Sequence, residues 1–107
     1  MTFDDYQKKA LATLLPSANN IPYIALGLTS EAGEVAGKIK KWIRDSGEDI
    51  SKLDKVAIAD ELGDTLWYLA LMAQKLDIKL ETIAQGNADK LSSRLERGKL
   101  TGSGDSR

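Results

Sequence analysis

Histidine and cysteine are both absent from this sequence of 107 residues. The lack of histidine removes the usual general base at neutral pH and the commonest ligand of transition metals. The lack of cysteine removes disulfides, thiolate nucleophiles and zinc–sulfur sites, and it fits a reducing cytoplasm. Any catalysis must therefore depend on carboxylates, lysine, arginine, tyrosine or a bound metal ion.

The chain also lacks an excess of charge and a long apolar run. Fifteen basic residues against sixteen acidic ones give a formal net charge of −1, so no overall field attracts nucleic acid or a membrane surface. No apolar run approaches the roughly 20 residues that cross a bilayer, and the N-terminal sequence lacks a signal-peptide pattern. We expect one soluble cytoplasmic domain without a nucleic-acid or membrane partner.

Helical periodicity predicts an all-α domain of four helices over residues 1–97. Thr2 can cap the first helix, and Pro16 and Pro22 bracket a break before the second. The other three helices are predicted over about residues 22–44, 53–75 and 80–97, the third restarting at Ser51 or a neighbour. The glycine- and serine-containing tail, residues 98–107, has backbone N–H groups that could fold over a phosphate.

The predicted third helix is apolar on nearly all sides, with residues such as Leu62 and Leu69 on one side and Trp67 and Tyr68 among those on much of the rest. Four helices can hardly surround one of their own members, so we expect a bundle completed by homodimerisation, or a tetramer built as a dimer of dimers. Three glycines, Gly33, Gly37 and Gly63, weaken helix propensity. We expect them to allow a close approach of backbones at a helix crossing.

Two pairs of carboxylates, each spaced i, i+3, lie inside predicted helices: Glu31 with Glu34, and Glu61 with Asp64. Glu31 falls within an apolar stripe, where a carboxylate is costly to bury unless it is paired or bound to a metal. Solvated surface acids are one alternative, which suits Glu34 beside Lys38; buried Glu–Lys pairs are another. The two pairs favour a metal site.

The ligand types restrict the metal. Carboxylate oxygens without histidine or cysteine favour the hard cations Mg²⁺, Mn²⁺ or Ca²⁺. A di-iron carboxylate bundle would need Glu-x-x-His, and no histidine exists. Residues 45–54 lack the ligand spacing of an EF-hand. A Mg²⁺-like cation held by these acids would attract a phosphate ester.

Basic residues lie at positions where a phosphate chain could be bound. Lys38 and Lys41 follow the first pair of acids. One face of the fourth helix carries a polar row at i, i+3, i+7 and i+10: Asn87, Lys90, Arg94 and Arg97. An ordinary solvated face is the alternative for such a row. Beside the acids, a phosphate-binding face is the better interpretation.

Residues 30–38 (SEAGEVAGK) and 60–68 (DELGDTLWY) resemble the MazG-like branch of the all-α nucleoside triphosphate pyrophosphohydrolases. That superfamily carries E-x-x-E on one helix and E-x-x-D on the next, and the later Asn87-x-x-Lys90-x-x-x-Arg94 is also similar to the family. The resemblance extends from about Tyr6 to the C-terminus. Many members have a further Glu where this chain has Ser30, which leaves the number of bound cations open.

The resemblance implies hydrolysis of a (deoxy)nucleoside triphosphate, dGTP or another dNTP, to the monophosphate and pyrophosphate. The implied ligands of Mg²⁺, or of Mn²⁺, are the four acids Glu31, Glu34, Glu61 and Asp64. Glu34 or Glu31 would also orient the attacking water and act as its general base. The implied phosphate ligands are Lys38, Lys90 and Arg94, with Asn87 nearby. Candidate partners of the nucleobase are Tyr6, Asn20, Tyr23 and Trp42.

Two other functions stay open at this stage. A catalytically silent helical dimer would act as an interaction or regulatory module. A hydrolase of another pyrophosphate, such as phosphoribosyl-ATP or a nucleotide sugar, would keep the metal site and change only the base pocket.

Overall fold

The computed structural model describes residues 1–107, and it contains four α-helices and no strand. The helices are α1 (Phe3–Ala12), α2 (Ile21–Ser46), α3 (Lys55–Lys75) and α4 (Leu80–Glu96). Two short 3₁₀ turns that the sequence did not predict lie between them, at Pro16–Ala18 and Ile50–Lys52. The predicted all-α class and the four helices are confirmed.

Local signals in the sequence explain where α1 and α2 begin. Thr2 caps α1 in a capping box, because its hydroxyl accepts from the Asp5 N–H at 3.1 Å and its own N–H donates to the Asp5 carboxylate at 3.3 Å. Asn20 caps α2 by accepting from the Tyr23 N–H at 2.9 Å, and Pro22 lies in the first turn.

The link between α2 and α3 is also set by local chemistry. Gly47 ends α2 in the left-handed conformation, with φ of 60°, as glycine does most readily. Asp54 starts α3, since its carboxylate accepts from the Ala57 N–H at 3.0 Å. The capping residue is thus Asp54, three positions after the predicted Ser51.

The helices meet around a small core. The largest helix–helix contact joins α2 to α3, while α1 packs against α3 and α4 contacts both α1 and α3. Five residues form the buried cluster: Ala10, Ile24, Ala70, Leu71 and Leu80. The buried Gln7 side chain ties three helices together by donating to the carbonyls of Ala70 and Ile78, at 3.3 and 3.1 Å, and accepting from the Leu80 N–H at 3.0 Å.

One side of α3 is left uncovered by the rest of the chain. Leu62, Leu69 and Leu76 are 55%, 42% and 54% exposed, although each is apolar. The other three helices therefore do not surround α3. No helix combines the length and apolar character that spanning a membrane demands.

The prediction for the glycines is wrong within one chain. A β-carbon added at Gly33, Gly37 or Gly63 would meet no atom within 4 Å, so no close helix crossing depends on them. The glycine that permits close packing is Gly27, because the ring of Tyr68 occupies the space that a β-carbon would fill.

Candidate functional site

Three carboxylates from two helices converge on one place. Glu31 projects from α2, and Glu61 and Asp64 project from successive turns of α3. One oxygen of each lies within 4.8 Å of the other two. Glu31 and Glu61 are partly buried, whereas Asp64 is exposed. The extensive packing of α2 on α3 therefore brings both predicted acid motifs to a single site.

The carboxylates disfavour one another's charge. Burial raises the pKa of Glu31 above its ordinary value of 4.5, and the negative charges of Asp64, Glu61 and Glu34 raise it further, together with a hydrogen bond from Glu61. An unneutralised cluster is thus electrostatically unfavourable when every acid is ionised. A cation among the oxygens would remove that penalty.

The fourth predicted ligand, Glu34, lies at the edge of this cluster. Its side chain is exposed, and its oxygens are not among those within 4.8 Å of one another. Its charge nevertheless contributes to the raised pKa of Glu31, so Glu34 lies nearby on the next turn of α2. The structure places oxygens of three of the four predicted acids within 4.8 Å of one another and leaves the fourth acid beside them.

Lys38 forms an ion pair with one of the clustered acids. Its Nζ lies 3.3 Å from Oε1 of Glu61, and the two side chains are 34% and 17% exposed. The buried Glu–Lys alternative therefore applies in part to Glu61. Such a partly solvated pair contributes at most about 1 kcal/mol to folding, so it does not explain the cluster as a stabilising device.

An open groove of about 600 Å³ adjoins the acids and has an aromatic wall. Its lining residues are Tyr6, Thr13, Glu31, Gly63, Asp64, Trp67 and Tyr68. The rings of Trp67 and Tyr68 meet edge to face with centroids 4.9 Å apart, and the indole N–H donates to the Thr13 hydroxyl at 2.9 Å. These contacts fix a rigid apolar surface next to the carboxylates.

Two phenols of the groove are held in the protonated form. Burial raises the pKa of Tyr6, and the charge of Asp64 adds to the effect. Burial also raises the pKa of Tyr68, followed by contributions from Tyr23, Glu31 and Asp64. A tyrosine hydroxyl is protonated at neutral pH in any case, and these shifts extend its protonated form to more alkaline pH.

Sequence reasoning missed Thr13, Trp67 and Tyr68 as groove residues. The sequence pattern predicts only that Trp67 and Tyr68 belong to the apolar sides of the third helix. Their positions three and four residues after Asp64 place them one helical turn away on the same side, which is a signal that could have found them.

The other predicted partners of a base have different positions. Tyr23 lies close enough to Tyr68 to raise its pKa, so it borders the aromatic wall. Asn20 caps α2, and its amide also donates to the Ser17 carbonyl at 3.4 Å. Trp42 lines a separate cavity near the end of α2.

The basic row on α4 does not line the groove. Arg94 is buried and donates to the Asp105 carbonyl at 2.9 Å, while Arg97 donates to the Arg107 carbonyl at 2.8 Å. The tail thus folds onto the two arginines predicted to bind phosphate. Asn87 and Lys90 are exposed on the same helix.

Known proteins are similar to this chain over the helices that carry the clustered acids. A family model of the MazG nucleotide pyrophosphohydrolase domain matches residues 21–98, which include α2, α3 and α4. The "Gene 37 protein" of Mycobacterium phage L5 is 44% identical over 91 residues, which are 85% of this chain and 80% of that protein. No solved structure matches. The chain belongs to the MazG nucleotide pyrophosphohydrolase family.

Proposed function

We propose that this protein hydrolyses (deoxy)nucleoside triphosphates, such as dGTP or another dNTP, to the monophosphate and pyrophosphate in a magnesium-dependent reaction. Family membership implies nucleotide pyrophosphohydrolase activity in general terms. The observation that carries the finer proposal is the convergence of oxygens from Glu31, Glu61 and Asp64 within 4.8 Å. The reaction would serve control of the nucleotide pool in the cytoplasm.

The donor set fits a hard divalent cation. Three carboxylate oxygens meet without a nitrogen or sulfur donor, which suits Mg²⁺ and, second, Mn²⁺. Glu31, Glu61 and Asp64 would hold the ion, with Glu34 able to join from the next turn of α2. The bound cation would supply charge neutralisation for the phosphates and would acidify a water molecule.

Side chains of the protein would carry out the remaining steps of the reaction. Glu34 is an exposed carboxylate just outside the three-acid cluster, which suits it to orient the attacking water and accept its proton. The water oxygen forms a bond to the α-phosphorus while the bond from that phosphorus to the bridging oxygen breaks. Lys38, already beside Glu61, would neutralise charge on the departing pyrophosphate.

The aromatic groove is the proposed place of the nucleoside. Tyr6, Trp67 and Tyr68 offer an apolar surface and two protonated phenols next to the acids. Tyr23 would extend this surface. Asn20 and Trp42 are weaker candidates, because one is used as a helix cap and the other lies in a different cavity.

The α4 residues would contribute to phosphate binding only after a change at the tail. Arg94 and Arg97 are engaged by tail carbonyls, and Asn87 and Lys90 lie outside the groove. Release of the tail would free both guanidinium groups to contact a phosphate group.

A second copy of the chain is the proposed cover for the outside of α3. Leu62, Leu69 and Leu76 form an uncovered apolar side, and Leu95 of α4 is 66% exposed. Light scattering coupled to size exclusion should give twice the 11.6 kDa mass of the chain. Four times that mass would indicate a dimer of dimers, and a monomer at micromolar concentration would refute the assembly.

The decisive experiment is a hydrolysis assay. Purified protein incubated with each dNTP and Mg²⁺ should release pyrophosphate, and Glu31→Gln or Asp64→Asn should abolish the release while the fold is retained by circular dichroism. Glu96→Gln, an exposed acid at the end of α4, is the matched control and should keep full activity. Full activity in both site variants would refute the site. A panel with phosphoribosyl-ATP and nucleotide sugars would test the other substrate classes.

A further inference from the structure

A second cavity, of about 380 Å³, lies between the end of α2 and the start of α3. Its charged and polar lining consists of Lys38, Lys41, Lys52, Asp45, Asp54 and Ser46, and Trp42 lies among its apolar residues. The Trp42 indole N–H donates to the Asp49 carbonyl at 2.7 Å, which holds the connecting loop against α2. The cavity is therefore a defined feature of the α2–α3 link.

One of the two acids of this cavity is in an ion pair, whereas two of its lysines are not. Asp45 is paired with Arg44 at 2.7 Å, and the Asp54 carboxylate accepts from the N–H of Ala57 at the start of α3. Lys41 and Lys52 form no ion pair in the chain. Asp54 keeps its negative charge, so the unpaired charges of the lining are two lysines against one carboxylate. The balance is positive, in a chain whose total charge is −1.

Lys38 links this cavity to the acid cluster. Lys38 lines the cavity, and its Nζ also contacts Glu61, one of the three clustered acids. Along α2, Glu31, Lys38 and Lys41 fall within an arc of about 80° over an axial distance of about 15 Å. A ligand held at the acids can therefore extend along one helix face into the cavity.

The surroundings of the acids are thus asymmetric. On one side lies the aromatic groove of Tyr6, Trp67 and Tyr68, and on the other lies the cavity with Lys38, Lys41 and Lys52. Stacking suits a nucleoside, whereas clustered ammonium groups suit the several charges of a pyrophosphate group. The two sides differ in the way that the two ends of a nucleoside triphosphate differ.

We infer that Lys41 and Lys52 bind the β- and γ-phosphates, so that the pyrophosphate end of the substrate points toward the end of α2 and the nucleoside toward α1. This inference rests on the proposed function. It adds two binding residues and an orientation that the acids alone do not give. Trp42 acts indirectly, by holding the loop that carries Lys52.

The test uses the two products as separate probes. Calorimetry with inorganic pyrophosphate and Mg²⁺ should show at least about tenfold weaker binding to the Lys41→Ala/Lys52→Ala variant, because two ammonium groups that would contact the pyrophosphate are removed. Binding of a nucleoside monophosphate should change less than about twofold. The Lys40→Ala/Lys55→Ala variant removes two exposed lysines outside the cavity and should bind both probes as the unmodified protein does.

Each result decides the inference. If the control variant binds pyrophosphate as weakly as the Lys41→Ala/Lys52→Ala variant, the effect is one of general surface charge and the inference is overturned. If the Lys41→Ala/Lys52→Ala variant loses monophosphate binding instead of pyrophosphate binding, the substrate has the reverse orientation, which also overturns the inference. Wild-type protein that fails to bind pyrophosphate would overturn it as well. If wild-type protein hydrolyses no dNTP but pyrophosphate binding still depends on Lys41 and Lys52, the proposed function fails and the subsite stands. Normal hydrolysis with unchanged pyrophosphate binding in the variant rejects the subsite alone.

Discussion

The acid cluster on α2 and α3 and the basic row on α4 are both helix faces with regular spacing, but their positions differ. The acids of α2 meet those of α3, because these helices form the largest contact in the chain. The row on α4 instead meets the C-terminal tail, whose carbonyls accept from Arg94 and Arg97. Spacing along a helix thus identifies the residues of a face, whereas tertiary packing decides what that face contacts.

The largest expected effect separates these two faces directly. Glu61→Gln should lower kcat/KM by about a thousandfold or more, because it removes a proposed metal ligand and the partner of Lys38. Lys90→Ala, on the exposed face of α4, should change KM by less than about tenfold and leave kcat unchanged.

Steady-state kinetics on both variants across the dNTPs measures this difference. Circular dichroism of each variant confirms that the fold persists. A loss for Lys90→Ala as large as that for Glu61→Gln would reverse the comparison, because it would place α4 in the reacting site.

Local signals made the helices and the acid motifs predictable. Thr2 and Pro22 act within a few residues of their own positions, so sequence alone reveals them. The i, i+3 spacing of Glu61 and Asp64 likewise puts both acids on one side of α3 before any tertiary contact is known.

Contacts between distant residues were not predictable in this way. The buried Gln7 side chain forms hydrogen bonds with residues more than sixty positions away. The Trp67 indole forms one with Thr13, which precedes α2 in the sequence, whereas Trp67 follows it. The Arg94 contact with the tail depends on how residues 98–107 fold back. Helical periodicity contains no information about these pairs, since it describes one helix at a time.

A second prediction compares closed and open positions on α2. Gly27→Ala should lower the free energy of unfolding by about 1–3 kcal/mol, because the new methyl group overlaps the ring of Tyr68. Gly33→Ala has open space at its β-carbon and should raise stability by about 0.5–1 kcal/mol through better helix propensity.

Urea denaturation followed by circular dichroism measures both changes. Since the two substitutions are chemically identical and lie on one helix, each is the control for the other. Equal destabilisation by both would mean that Gly33 also faces a close neighbour, such as a second copy of the chain.

The smallest expected effect concerns the balance of charge at the acid site. The pKa of Glu31 is raised above 4.5 by burial and by Asp64, so the folded state favours its protonated form. Without a divalent cation, this group's contribution to stability is present below pH 4.5 and is lost as pH rises through the raised pKa. The Glu31→Gln variant does not lose this stability as pH rises. Its melting temperature at pH 7.5 in EDTA should therefore exceed that of the wild type by about 2 °C.

Thermal unfolding between pH 4.5 and pH 7.5 tests the sign of this effect. The gap between the two proteins should widen as pH rises in EDTA. It should close or invert when Mg²⁺ is added, because only the wild type keeps all three clustered carboxylates to bind it. A variant less stable than the wild type in EDTA would mean that Glu31 is stabilised by a favourable contact, and the charge repulsion that motivates a metal site would then be absent.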